Sequence, residues 1–84
     1  MVDNYPNPFN PETTIRYIVE KYSNVKLIVY DTSGREVSVL VDSVHDKGRY
    51  SVGFNGRELI SGIYFYRLSI NNIVVDNKKM ILIK

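Results

Sequence analysis

Val25-Lys26-Leu27-Ile28-Val29-Tyr30-Asp31-Thr32-Ser33-Gly34-Arg35-Glu36-Val37-Ser38-Val39-Leu40-Val41 reads as two strands joined by a tight turn. Val25, Leu27 and Val29 share one face of the first strand. Ile28 and Tyr30 make its second face apolar too, the pattern of a central strand covered on both sides. Asp31-Thr32-Ser33-Gly34 is the turn, with Gly34 where a positive φ is needed. The second strand runs from Arg35 to Val41, with Val37, Val39 and Val41 expected to face inward. The pair is a β-hairpin.

The same period of two continues on both sides. Upstream, Ile15, Tyr17 and Val19 alternate with polar residues from Thr13 on, and Lys21 to Asn24 is a polar turn. Downstream, Asp42 to Lys47 reads as a polar loop closing at Gly48, after which Tyr50, Val52 and Phe54 alternate inward. Asn55-Gly56 is a strong two-residue turn signal. Arg57 to Ile60 crosses over, with Leu59 plugging the core. Ser61-Gly62 leads into Ile63 to Leu68, apolar on both faces. Asn71-Asn72 is a second hairpin turn, and Ile73 to Val75 with Met80 to Ile83 supply the last strand. Gly48-Arg49-Tyr50 echoes Gly62-Ile63-Tyr64, a repeated geometry at the start of a strand. About seven short strands spaced by roughly 8–12 residues predict an all-β, antiparallel β-sandwich.

Residues 1–12 carry all three prolines, Pro6, Pro8 and Pro11, and are expected to be an extended Pro-rich lead-in or linker. Tyr5 and Phe9 are expected to pack on the domain edge. Residues 13–84 then form the sandwich.

Composition agrees. There are 11 Val and 9 Ile but only 5 Leu, and no Ala, Gln, Cys or Trp. Branched and aromatic residues suit a pleated surface, and the best helix former is missing. Eighty-four residues make one domain with little room for an enclosed active site. A net charge of +2 with dispersed bases does not point to nucleic acid. No apolar run is long enough to span a membrane.

Catalytic chemistry finds few candidates. His45 is the single histidine, expected to be solvated in its loop, and with no cysteine there is no partner for a metal or thiol site. The acidic residues lack calcium-loop spacing. Tyr17, Tyr30, Tyr50, Tyr64 and Tyr66 lie in alternating strands, where packing accounts for them better than a sugar platform. No cofactor and no metal is expected.

The tail is unusual. Lys78-Lys79-Met80-Ile81-Leu82-Ile83-Lys84 is a strand pattern bracketed by lysines, where most chain ends fray. Lysines blunt an edge strand, and the same pattern suits a tail that is recognised. On the residues alone the edge-strand reading is favoured; in combination with the other motifs of the chain, Lys78, Lys79, Ile81, Leu82, Ile83 and Lys84 become the candidate recognition residues, with strand addition to the tail as the expected mode.

Tyr5-Pro6-Asn7-Pro8-Phe9-Asn10-Pro11, Thr13-Thr14-Ile15, Val29-Tyr30-Asp31, Gly34-Arg35-Glu36-Val37, Gly48-Arg49-Tyr50, Phe54-Asn55-Gly56, Ser61-Gly62-Ile63-Tyr64-Phe65 and Lys79-Met80 follow one another along nearly the whole chain. In this order they resemble the type A C-terminal sorting domain of the bacterial type IX secretion system. The resemblance implies an immunoglobulin-like sandwich at the end of a larger exported protein, with no catalysis of its own. It implies motif roles for Pro6, Asn7, Pro8, Gly34, Arg35, Glu36, Gly48, Gly62 and Tyr64. It also implies cargo N-terminal on the same chain, passage through the periplasm, the type IX translocon and a sortase-like peptidase as partners, and a secreted or cell-surface destination without membrane insertion. The immunoglobulin-like domain of flagellar hook-capping proteins shares part of the pattern. Its longer Asp/Gly-rich connection and its tryptophan are replaced here by a short Asn55–Ser61 segment and Phe54. An accessory sugar-binding or spacer module of a secreted glycosidase is the third reading.

Overall fold

The computed structural model describes residues 2–84. Seven strands follow one another: β1 (Val2–Tyr5), β2 (Glu12–Val19), β3 (Ser23–Tyr30), β4 (Glu36–His45), β5 (Gly48–Asn55), β6 (Gly62–Ile70) and β7 (Ile73–Leu82). They form two sheets, ordered β1-β2-β5 and β4-β3-β6-β7, with neighbouring strands antiparallel. This is the immunoglobulin-like sandwich, with the fourth strand on the sheet opposite to the one it joins in the constant-type layout.

Alternation places the core between the sheets. Ile15, Tyr17 and Val19 of β2 face Val25, Leu27 and Val29 of β3, Tyr64, Tyr66 and Leu68 of β6, and Met80 and Leu82 of β7; all are buried. Leu59 of the crossover packs against this cluster. Asn71 and Asn72 have φ of 52° and 66°, the two positive values a tight β6–β7 hairpin needs. Gly34 has φ +87° and donates its N–H to Asp31 O at 3.0 Å, closing the β3–β4 turn.

Several local readings change. Val2–Tyr5 is a strand paired with β2, so part of the expected lead-in belongs to a sheet. Val2 and Asn4 take its inward positions, which leaves Tyr5 on the outer face at 74% exposure and off the domain edge. β4 runs on to His45, through most of the expected polar loop. Register shifts between Leu27 and Ile28 and between Val29 and Tyr30 change the phase of β4, so Val37, Leu40 and Val41 pack inward and Val39 is 51% exposed. Asn55-Gly56 makes no hairpin. It starts the crossover between sheets, where Asn55 Oδ1 accepts the Arg57 amide at 2.8 Å and the Gly56 amide bonds Pro11 O at 2.8 Å. His45 is not a solvated loop residue. At the end of β4 its Nε2 is hydrogen-bonded to Tyr17 Oη at 2.9 Å, and its ring lies 4.4 Å from that of Tyr50.

The echoed Gly-x-Tyr segments have one geometry. Tyr50 Oη donates to Asp46 O, and Tyr64 Oη to Ile60 O, both at 2.7 Å and both four residues back. Tyr64, at the start of the sixth strand, is the tyrosine corner of immunoglobulin-like domains. Tyr50 repeats the device at the start of β5.

Candidate functional site

The segment Pro6–Pro11 connects β1 and β2 within one sheet, yet it reaches across to the edge of the other. Its X-Pro bonds are cis. Asn7 Nδ2 donates to Lys79 O at 3.2 Å, and Asn7 Oδ1 accepts the Ile81 amide at 3.0 Å. One side-chain amide thus does what a neighbouring strand's backbone would do on either side of Met80. Two residues on, the Phe9 amide donates to Ile81 O and Phe9 O accepts from the Ile83 amide, both at 2.9 Å, forming a parallel bridge with Leu82. The Phe9 ring is 2% exposed and meets Phe54 edge-on, with centroids 6.0 Å apart. Gly56 closes over this contact. A Cβ there would stand 2.9 Å from Leu82 Cδ2 and 3.4 Å from Phe9 Cε2, so any side chain would displace Leu82 in the core.

A polar knot holds the segment from behind. Thr13 Oγ1 donates to Pro6 O at 2.8 Å, Asn4 Nδ2 to Thr13 Oγ1 at 3.1 Å, and Tyr66 Oη to Asn4 Oδ1 at 3.0 Å. Burial, then the Asp3 and Asp76 carboxylates, push the Tyr66 hydroxyl up to about 12. It therefore stays a donor.

The candidate tail residues divide by face. Leu82 is 1% exposed and points into the core beside Met80. Lys78, Lys79, Ile83 and Lys84 are exposed, and Ile81 is half-buried. Lys84 is tied down: its amide donates to Ser61 Oγ at 3.1 Å and its Nζ to Arg57 O. Among the described residues the ion pairs are Arg16–Asp3 and Arg35–Asp31, so these lysine charges are uncompensated at close range. Because Asn7 and Phe9 occupy the outer backbone edge over Lys79–Ile83, strand addition there is blocked in the folded domain. This corrects the expected mode of recognition.

The other motif residues serve the frame. Pro6, Asn7 and Pro8 build the segment on β7. Arg35 Nε pairs with Asp31 Oδ2 at 3.2 Å across the turn that Gly34 makes. The Ser33 hydroxyl and the Ser33 and Arg35 amides hold the Asp31 carboxyl below its usual range. Glu36 is exposed, opposite Tyr30. Gly48 and Gly62 begin β5 and β6, two residues ahead of the Tyr50 and Tyr64 corners. Sequence reasoning gave Asn4 no role and read Thr13 as a strand start, Gly56 as a turn residue and Tyr66 as strand packing. Their contacts around this segment were not legible, because the partners are remote in the chain.

No curated protein matches this chain. Among solved structures, Pseudomonas fluorescens alkylpurine DNA glycosylase AlkC bound to DNA containing an abasic site analog is similar, with a TM-score of 0.54 and 12% identity over 99% of this chain and 30% of that one. That likeness is one of fold. The family model of the secretion system C-terminal sorting domain matches residues 3–84. With all of the sandwich but Val2 inside that match, the chain belongs to the C-terminal sorting domain family, the signals for type IX secretion that send proteins across the outer membrane to the cell surface or beyond.

Proposed function

We propose that this sandwich is the non-catalytic sorting signal of a larger protein whose cargo lies N-terminal to it on the same chain. The machinery selects the folded domain in the periplasm and passes the cargo across the outer membrane. A sortase-like peptidase then cuts in the linker ahead of the domain, and the cargo is attached to a surface glycolipid or released. Lys78, Lys79, Ile81, Ile83 and Lys84 are the residues read, and Leu82 anchors them by filling the core.

The observation that supports this reading is that the lysine-flanked segment Lys79–Lys84 is held in place, so its outward side chains have fixed positions. Here Asn7, Phe9, Ser61 and Arg57 each bond residues between Lys79 and Lys84. The test is a fluorescent reporter fused ahead of residues 1–84 in a host with type IX machinery, compared with the reporter alone. Surface or medium fluorescence that requires the domain is the expected result. Retention of the fusion in the periplasm with the domain folded would overturn the reading.

A further inference from the structure

The tail offers a partner fewer surfaces than its sequence suggests. Met80 and Leu82 are 0% and 1% exposed. The outer edge over Lys79–Ile83 is held by Asn7 and Phe9. The stretch before it carries a bulge, with Leu68 opposite Asp76 and Ser69 opposite Val74, so Val75 is unmatched. Bulges keep an edge from templating another strand.

What remains is the outward face of the β6–β7 end of the four-stranded sheet. There Ile63 stands opposite Ile81 and Phe65 opposite Lys79, and Ile83 follows on the same face. Ile60, in the crossover loop, lines one depression with Ile63. Ile60, Ile63 and Ile83 are 81%, 42% and 51% exposed, and Ile81 is half-buried. Isolated apolar residues on a surface are ordinary, but a contiguous group marks an interaction site. The rim is basic. Lys79 and Lys84 border the group on the β7 side; the acidic residues beside Ile60 and Ile63 are Glu58 and Asp31, and Asp31 is paired with Arg35.

We infer that this face, formed by Ile60, Ile63, Ile81 and Ile83 with Lys79 and Lys84 at its rim, docks a protein segment presenting aliphatic side chains flanked by Asp or Glu. Contact is side chain to side chain across the sheet face, not backbone pairing at the β7 edge. Aliphatic burial supplies affinity and the lysine–carboxylate contacts supply orientation. The inference rests on the sorting-signal reading and names the surface through which that signal is read.

The test uses the same reporter fusion with Ile63→Glu, Ile83→Glu and the milder Ile83→Ser. Val39→Glu is the control, on the far edge strand of the same sheet at 51% exposure. Each purified domain is melted by circular dichroism and sized by analytical ultracentrifugation. The expected result is native-like melting with export reduced about tenfold or more for the Ile63 and Ile83 variants, and normal export for Val39→Glu. Lys79→Glu with Lys84→Glu is expected to lower export as well. Normal export of the isoleucine variants overturns the docking face while leaving the sorting signal standing. So does equal loss in Val39→Glu, or a wild-type dimer that the isoleucine variants dissolve. Failure of the wild-type fusion itself removes the sorting reading and this one with it.

Discussion

Asn7 and Ile81 lie 74 positions apart, and the Oδ1 of one accepts the backbone amide of the other at 3.0 Å. The same side chain donates to Lys79 O. The start and end of the domain are thereby joined across the two sheets by one amide group. Asn7→Ala removes both bonds and is expected to cost about 1–2 kcal/mol by urea denaturation. Hydrogen exchange at the Ile81 amide should accelerate, while the Leu27 and Leu68 amides in the sheet centre stay protected. Unchanged exchange at Ile81 would show that the Asn7 contact contributes nothing.

Removing residues 78–84 deletes Met80 and Leu82, both essentially fully buried. Truncating a buried Leu or Met to Ala costs about 2–5 kcal/mol each, against about 4–12 kcal/mol in total for a domain of this size. The shortened domain is expected to lose its cooperative melting transition. Removing only Ile83 and Lys84 is expected to keep it. A folded 1–77 fragment by near-ultraviolet circular dichroism would contradict this placement of β7.

Tyr64→Phe leaves Ile60 O without its donor where the side chain is 5% exposed. A loss of about 1–2 kcal/mol is expected. Tyr50→Phe makes the same deletion at a more accessible corner and should cost less. Equal or reversed losses in paired urea titrations would refute the burial argument.

Two glycines give opposite expectations. Gly56→Ala forces a Cβ to 2.9 Å from Leu82 Cδ2 and should cost about 1–3 kcal/mol. Gly53, on the outer face of β5, has open space around its missing Cβ, so Gly53→Ala is expected to be neutral or stabilising by up to about 1 kcal/mol. Thermal melts of the two variants are the check.

Tyr66 sets an alkaline limit. Its folded value of about 12 lies above the ordinary 10.0, so the folded state holds the proton more tightly than the unfolded one. The stability this provides is complete below pH 10 and is lost as pH rises through 12. Urea midpoints should fall across that window in the wild type and fall less in Tyr66→Phe. Parallel curves would assign the loss to other groups.

The sequence by itself determined the strands and most of their inward residues, because alternation is a property of neighbours. Ile15, Tyr17 and Val19, or Tyr64, Tyr66 and Leu68, need only the period of two to find the core. The Asn71-Asn72 and Gly34 turns were legible for the same reason, since backbone φ is set locally. Tertiary structure decided which sheet each strand joins and where the phase slips, as at Val39, because bulges arise from pairing with a particular neighbour. It also converted Asn7 and Phe9 from a stiff approach into the cover of β7. Those hydrogen bonds link residues more than seventy apart, and such a pairing leaves no period in the sequence. The tail was marked by its lysines and isoleucines. Which of its surfaces stays open was settled only when the other end of the chain folded onto its edge.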